Sequence, residues 1–286
     1  MLKRFLFAVL LAGACVASSP IASSQSPAHA PSNFLQRWQA RATATQALQP
    51  KWIAPVFAPY PMLVQLYRFD GVRQTSSTLS TTWNIGSTKG LALIPLKRTE
   101  IDIYIPPFFE HDNKTADGFG DFSVAGKFRL LSANEKKGNY LMTASLNATV
   151  PTGSYKNGLS DATVTPALSG GKGFGKFDAF TTLGGTLPTG NQKVIGRTIA
   201  SNTVLQYHAM KYLWPEFEIN STAFYGSTKD GKIQTFLTPG VMFGRLPLHR
   251  EKPGRLGFVA GGGFQTAATH YHGYNHALIF TGRITF

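Results

Sequence analysis

The sequence predicts an all-β chain: an antiparallel transmembrane β-barrel of about 12 strands with a short N-terminal helix. Three observations predict it. First, apolar and polar residues alternate in successive runs along most of the chain. Most of these runs are 9–13 residues long. A tilted strand needs about that length to cross a hydrocarbon layer, whereas soluble strands average roughly 5–6 residues. Second, the last eleven residues, HALIFTGRITF, alternate up to the final phenylalanine, where chain ends usually fray into polar tails. Third, only 15% of residues are charged, low for a soluble surface, and several of those charges sit in mid-strand.

The elements follow in order. Lys3 and Arg4, the apolar stretch Phe5 to Ala17 and the A-x-A site at residues 28–30 predict a cleaved signal peptide over residues 1–30. Its removal takes away two bases and the only cysteine, and lowers the net charge from +14 to +12. In residues 31–62, Phe34, Trp38, Ala42 and Thr45 are spaced as on one helix face and Pro50 is a stop. KWIAPVFAPYPM then reads as an extended Pro/aromatic tether able to plug a barrel, with the barrel proper over residues 63–286.

Thirteen runs can be drawn: 63–73, 76–85, 89–96, 98–106, 120–131, 139–150, 162–168, 174–187, 199–209, 216–225, 233–245, 255–264 and 276–286. Single-chain bacterial barrels have even strand numbers. The run 89–96 is short and holds Pro95, so one run near 63–96 is not a separate wall strand, and twelve are expected. With the C-terminus on the periplasmic side, loops 107–119, 151–161, 188–198, 226–232 and 268–275 face outside. Turns 132–137, 169–173, 210–211 and 246–254 face the periplasm.

Strand parity assigns the lumen. Glu100, Asp102, Asp121, Lys127, Arg129, Asp178, Glu218 and Arg283 fall on the polar parity and are expected to line it, with Arg255 as a further cation. Tyr104, Tyr140, Tyr207, Tyr212, Trp214, Tyr225 and Phe286 suit aromatic girdles, and Phe180, Phe224 and Phe236 fall inward. Phe280, Ile284 and Phe286 read as a C-terminal signal for the barrel-assembly machinery.

Several motifs admit a bland reading. V-P-T-G-S at 150–154 echoes L-P-T-G-N at 187–191, each ending a strand because proline cannot donate to the ladder. DGFGD at 117–121 opens a strand, and Asp117 with Asp121 supplies too few oxygens for a calcium loop. His270, His272 and His276 read as a loop rather than a metal site. GGKGFGK at 170–176 lacks the G-K-[ST] ending of a phosphate loop and reads as a turn. The A-G-G-G run at 260–263 marks a bend or a close approach. No cofactor or metal is implied. The scattered bases argue against nucleic acid and suit outer-membrane lipids and lipopolysaccharide.

DGFGD with Gly118, Gly120 and Asp121, the GKFRL after it, the two PTG loops and FGKFDAF at 174–180 resemble the MetA-pathway phenol-degradation transporter family of outer-membrane barrels. The resemblance covers about residues 98–286 and leaves residues 31–62 outside. It implies a bacterial outer-membrane channel for small aromatic or hydrophobic solutes, without catalytic residues. Two other readings compete. A lipid hydrolase needs a serine beside a histidine, and Ser201 and His208 lie seven residues apart on one strand, over ~20 Å at strand rise. A structural or adhesive barrel would place its function in the external loops.

Overall fold

The computed structural model describes residues 33–248 and 255–286, so the expected signal peptide lies outside the described residues. Among the described residues twelve wall strands alternate in direction and close on themselves. Nine are simple: β1 (Leu66–Thr75), β5 (Tyr140–Val150), β6 (Thr163–Phe174), β7 (Phe177–Pro188), β8 (Arg197–Tyr207), β9 (Leu213–Tyr225), β10 (Ile233–Pro247), β11 (Gly257–Ala267) and β12 (His276–Thr285). Three are interrupted: β2 (Thr81–Gly86 and Gly90–Leu96), β3 (Thr99–Tyr104 and Phe108–His111) and β4 (Gly118–Phe119 and Phe122–Ala133). β12 pairs antiparallel with β1 from Leu66 opposite Thr285 to Thr75 opposite His276, which removes both sheet edges.

The interruption in β2 explains the surplus thirteenth run. Ser87 and Thr88 lie at φ +46° and +50°, a left-handed conformation that side chains rarely adopt. Before this step Asp70 of β1 faces Gly86, and after it Leu66 faces Ala92. Two extra residues therefore bulge out of one continuous strand. β3 is broken where Pro106 and Pro107 have no N–H to donate. It resumes as far as His111, so the first long external loop shrinks from 107–119 to 112–117.

One expected turn is corrected. Residues 169–173 are not a turn but the end of β6, and the chain reverses at Gly175 and Lys176, with Gly175 at φ +63°. The glycines are there for space. A Cβ on Gly171 would lie 2.3 Å from Phe180 Cβ, and one on Gly173 would lie 2.4 Å from Asp178 Oδ1. The A-G-G-G run of β11 is likewise a close approach: a Cβ on Gly261 would meet Met242 Sδ at 2.2 Å.

Alternation sorts the wall into two faces. Phe69, Phe128, Leu146, Leu183, Phe264 and Phe280 are exposed on the outside. Such a continuous apolar belt exceeds what a soluble monomer shows. Arg68, Asp70, Glu100, Lys127, Glu218 and Arg283 are buried inside. In β4 a bulge after Arg129 hands the outer face from Leu130 to Leu131. Tyr104 and Trp214 are not girdle residues: they share parity with Asp102 and Glu216 and turn inward. Helix α1 (Phe34–Ala47) is capped by Asn33, whose side chain accepts from Gln36 N, and a one-turn α2 (Gln192–Ile195) sits in the loop before β8.

The strand reading of 169–174 predicts a contrast. Gly171→Ala should lower barrel stability by about 1–3 kcal/mol through overpacking. Gly170→Ala should be near neutral, because its Cβ would meet nothing closer than 3.6 Å. Urea unfolding midpoints in detergent measure both, and equal effects would contradict the assignment.

Candidate functional site: the lumen and its internal segment

Helix α1 lies against the rim that carries the C-terminus. Trp38 Nε1 donates to Gln65 Oε1 at 2.6 Å, and Gln65 Nε2 donates to the Phe286 carbonyl at 3.2 Å. Its last turn leaves carbonyls without intrahelical partners. Arg129 Nη1 donates to the Thr45 carbonyl at 2.7 Å and Nη2 to the Lys97 carbonyl at 3.0 Å, while Asn134 Nδ2 reaches the Ala47 carbonyl at 3.0 Å. A cation at this end also suits the helix dipole.

From α1 the chain passes into the barrel. Trp52 stacks on Phe180 with centroids 5.6 Å apart and donates to Asn139 Oδ1 at 3.1 Å. Residues 54–58 then meet wall side chains rather than a neighbouring strand. Glu216 Oε1 accepts from Val56 N at 2.5 Å, and the two oxygens of Glu218 accept from Phe57 N and Ala58 N at 2.8 Å each. Arg283 donates to the Ala54 and Pro55 carbonyls, and Arg68 Nη2 donates to the Val56 carbonyl at 2.5 Å. Val56 is fully buried and sits on Gly240 and Gly263, whose absent Cβ atoms would lie 3.1 and 3.3 Å from it. On the return, Val64 N donates to Glu100, and Lys127 Nζ donates to the Met62 carbonyl at 3.3 Å.

The wall charges also pair with one another. Arg68 makes a bidentate contact with Asp70, at 2.6 Å for the shorter arm, and Lys127 meets Glu100 at 2.6 Å. Asp102 accepts from Tyr104 Oη at 3.2 Å. Ile53, Val56, Trp214, Met242, Val259 and Ile279 form an apolar cluster that fills the lumen beside β9–β12. From the opposite end, Tyr274 of the last loop stacks on Phe236 at 4.4 Å and donates to Gln265. Burial pushes the Tyr274 phenol up, so it stays a donor.

Beside β5–β8 the lumen stays open as a cavity of about 260 Å³. One wall carries Arg68, Lys89, Asp102, Tyr104 and Lys127, and the floor is Ala58, Pro59 and Tyr60 of the internal segment. The facing wall is uncharged and built from Ser145, Asn147, Thr165, Thr182, Thr186 and Asn202. Its hydroxyls pair across strands, Ser169 with Thr182 at 2.7 Å and Thr165 with Thr186 at 3.0 Å.

Asp121 corrects the sequence assignment. It does not line the lumen: its oxygens accept from Gly153 N at 2.8 Å and Leu159 N at 2.7 Å, clasping the first PTG loop. Gly118 and Gly120 admit that loop and its neighbours, since a Cβ would meet Ser154 Oγ at 2.0 Å and Phe109 Cε2 at 2.9 Å respectively. The second PTG loop repeats the device, with Asp161 accepting from Asn191 Nδ2 at 2.5 Å. Asp112 joins loop to loop through Ser80 and Thr81 hydroxyls, which hold its carboxyl down at about 2 against an ordinary 3.8. Its folded value is the lower one, so that clasp is intact above 3.8 and is lost as pH falls through about 2.

Arg255 is not in the lumen either, but at the rim, with Nε on the Phe286 carbonyl at 3.0 Å. Phe280 and Ile284 face outward, and Phe286 ends at that rim. His272 is held by the Thr269 carbonyl and Asn275 Oδ1 at 2.8 and 2.9 Å, and His208 lies flat on Trp214 at 3.9 Å. His249 lies outside the described residues. Sequence reasoning missed Arg68, Asp70, Glu216 and Lys89. Parity marks the first three, as i, i+2 neighbours on the polar face, but nothing in the sequence announces the bulge that delivers Lys89.

No protein-family model and no curated protein matches the chain, so its resemblance to the MetA-pathway transporters rests on the motifs alone. Among solved structures, the COG4313 outer membrane channel from Pseudomonas putida F1 superposes with a TM-score of 0.60 at 12% identity, covering 82% of this chain and 100% of that one. A NanC porin superposes with a TM-score of 0.51 at 7% identity, covering 77% and 98%. These likenesses show the fold.

The carboxylate contacts to residues 56–58 predict local release. Hydrogen bonds to charged groups contribute about 1.5–3 kcal/mol each. Replacing Glu216 and Glu218 together by Ala should therefore speed amide exchange at Val56, Phe57 and Ala58 by ~10–100-fold, with exchange in the β5–β8 ladder unchanged. Unchanged exchange at those three amides would contradict the anchoring role.

Proposed function

We propose that this chain is a bacterial outer-membrane channel for small solutes, with residues 31–62 as an internal restriction. One observation carries the reading. A closed barrel with an apolar belt outside keeps a polar, partly open lumen inside. The exterior calls for lipid, and the interior provides a path that lipid cannot enter. The superposable outer membrane channel and porin have the same architecture, which supports the reading. The basic external loops, with Lys156, Lys193 and Lys229, suit contact with lipopolysaccharide. Export through a cleaved signal peptide and recognition of the C-terminal strand by the assembly machinery complete the route to that membrane.

The solutes we assign are small and aromatic or hydrophobic. Tyr60, Tyr104, Leu66 and Leu91 give the cavity its apolar lining, and about 260 Å³ admits one ring at a time. The MetA-pathway resemblance points the same way. Among the described residues no serine is hydrogen-bonded to a histidine, so an outer-membrane hydrolase has no observation in its favour.

Planar-bilayer recording tests the channel. The full-length protein should show small currents, and deletion of residues 51–62 should raise conductance several-fold by emptying the centre of the lumen. Absence of current from both forms would overturn the reading.

A further inference from the structure

Two cationic groups at the cavity have donors to spare. Arg68 is 3% exposed and lines the cavity, yet its Nη1 has no hydrogen-bond partner, its other donors going to Asp70 and the Val56 carbonyl. Among the described residues, Lys89 Nζ makes no ion pair or hydrogen bond, and its only ring contact is with Phe57 at 5.8 Å. Lys89 reaches the lumen because β2 breaks into left-handed residues at Ser87 and Thr88, an expensive conformation that the strand would not need merely to continue. Lys89 feels Arg68 and Arg283 as like charges and Asp70 and Glu218 as opposite ones. Like charges held together in a low-dielectric site are relieved by an anion between them.

We infer that the cavity is a binding site for a small organic monoanion with a flat apolar body, its carboxylate against Lys89 Nζ on the side of the cavity that Arg68 lines. The bases' own counterions are not on the cavity surface: Asp70 and Glu100 are fully buried and pair with Arg68 and Lys127. The cavity surface itself carries Arg68, Lys89 and Lys127 against Asp102 alone. Tyr60 and Tyr104 offer faces for a ring, and the uncharged hydroxyl wall opposite repels neither part of the molecule. A dianion is disfavoured by Asp102, and a long chain by the volume. This inference deepens the channel reading and rests on it for the ligand's route.

Calorimetry on the detergent-solubilised full chain tests it with three probes: benzoate, the uncharged ring benzyl alcohol, and acetate, which has charge without a ring. Benzoate should bind at least ~10-fold tighter than either of the others. Lys89→Met should reduce benzoate binding to the benzyl alcohol level, and Lys89→Arg should restore it to within a few-fold of wild type. Benzoate binding no tighter than benzyl alcohol, or unaltered by Lys89→Met, would overturn the site. If Lys89→Met does not fold, the three-probe comparison on the wild type decides alone. Binding is read without current, so benzoate binding by the full chain, with no current from it or from the form lacking residues 51–62, sinks the channel and leaves the site. A conducting protein indifferent to Lys89→Met sinks the site and leaves the channel.

Discussion

The peptide groups of residues 54–58 must find hydrogen bonds in a place where no strand is free to offer them. Every wall strand already has two neighbours, so the barrel has no edge to lend. Pro55 and Pro59 make the segment unfit for a ladder in any case. Side chains take over: carboxylates of Glu216 and Glu218 stand in for carbonyls, and guanidinium groups of Arg283 and Arg68 stand in for amides. Buried charge that would be costly alone is tolerated because each of the four groups is hydrogen-bonded to the segment's backbone. The mid-strand charges of this barrel are therefore partly structural. They form the inner partner that a Pro-rich segment needs.

That arrangement divides the lumen. The apolar cluster around Val56 and Trp214 fills the side of β9–β12, and glycines at 240 and 263 let the segment press against the wall there. The side of β5–β8 carries small hydroxyl residues that bond to one another across strands and so present no stranded donors. A small molecule in that space would lie between a smooth neutral wall and a charged one. Such a transverse field orients a molecule with one polar end, and a narrow path makes that orientation count.

Alternation alone made the barrel legible, because lipid-like and lumen-like faces differ at every second residue: Phe217 out, Glu218 in, Phe128 out, Lys127 in. Parity failed where the backbone departs from a plain strand. The two halves of β2 gave two separate runs, since left-handed Ser87 and Thr88 leave no mark in composition, and the even-number rule, not parity, brought the count to twelve. The glycines of β6 read as a turn because glycine's absence of bulk and its conformational freedom look identical in sequence. Asp121 had the right parity but stands at the strand's outer end, where loop amides lie nearer than the lumen. The tether was visible as Pro-rich. Its partners were not, because contacts such as Arg283 to Ala54 join opposite ends of the chain.

The same contacts bear on whether the internal segment can leave. In a dry core, removing it would strand four charged side chains, a prohibitive loss. A lumen is different, because water follows the departing chain and solvates Glu216, Glu218, Arg283 and Arg68 in its place. Each hydrogen bond then costs only its net value against water, about 0.5–1.5 kcal/mol, or somewhat more for the charged ones. What holds the segment is chiefly its apolar side chains. Trp52, Ile53, Val56 and Met62 are buried, and each contributes about 1.5–3 kcal/mol. The polar contacts fix where the segment sits, and the greasy ones fix how firmly. A change that exposes those four residues to an apolar ligand or to detergent would loosen the restriction more than any change in salt.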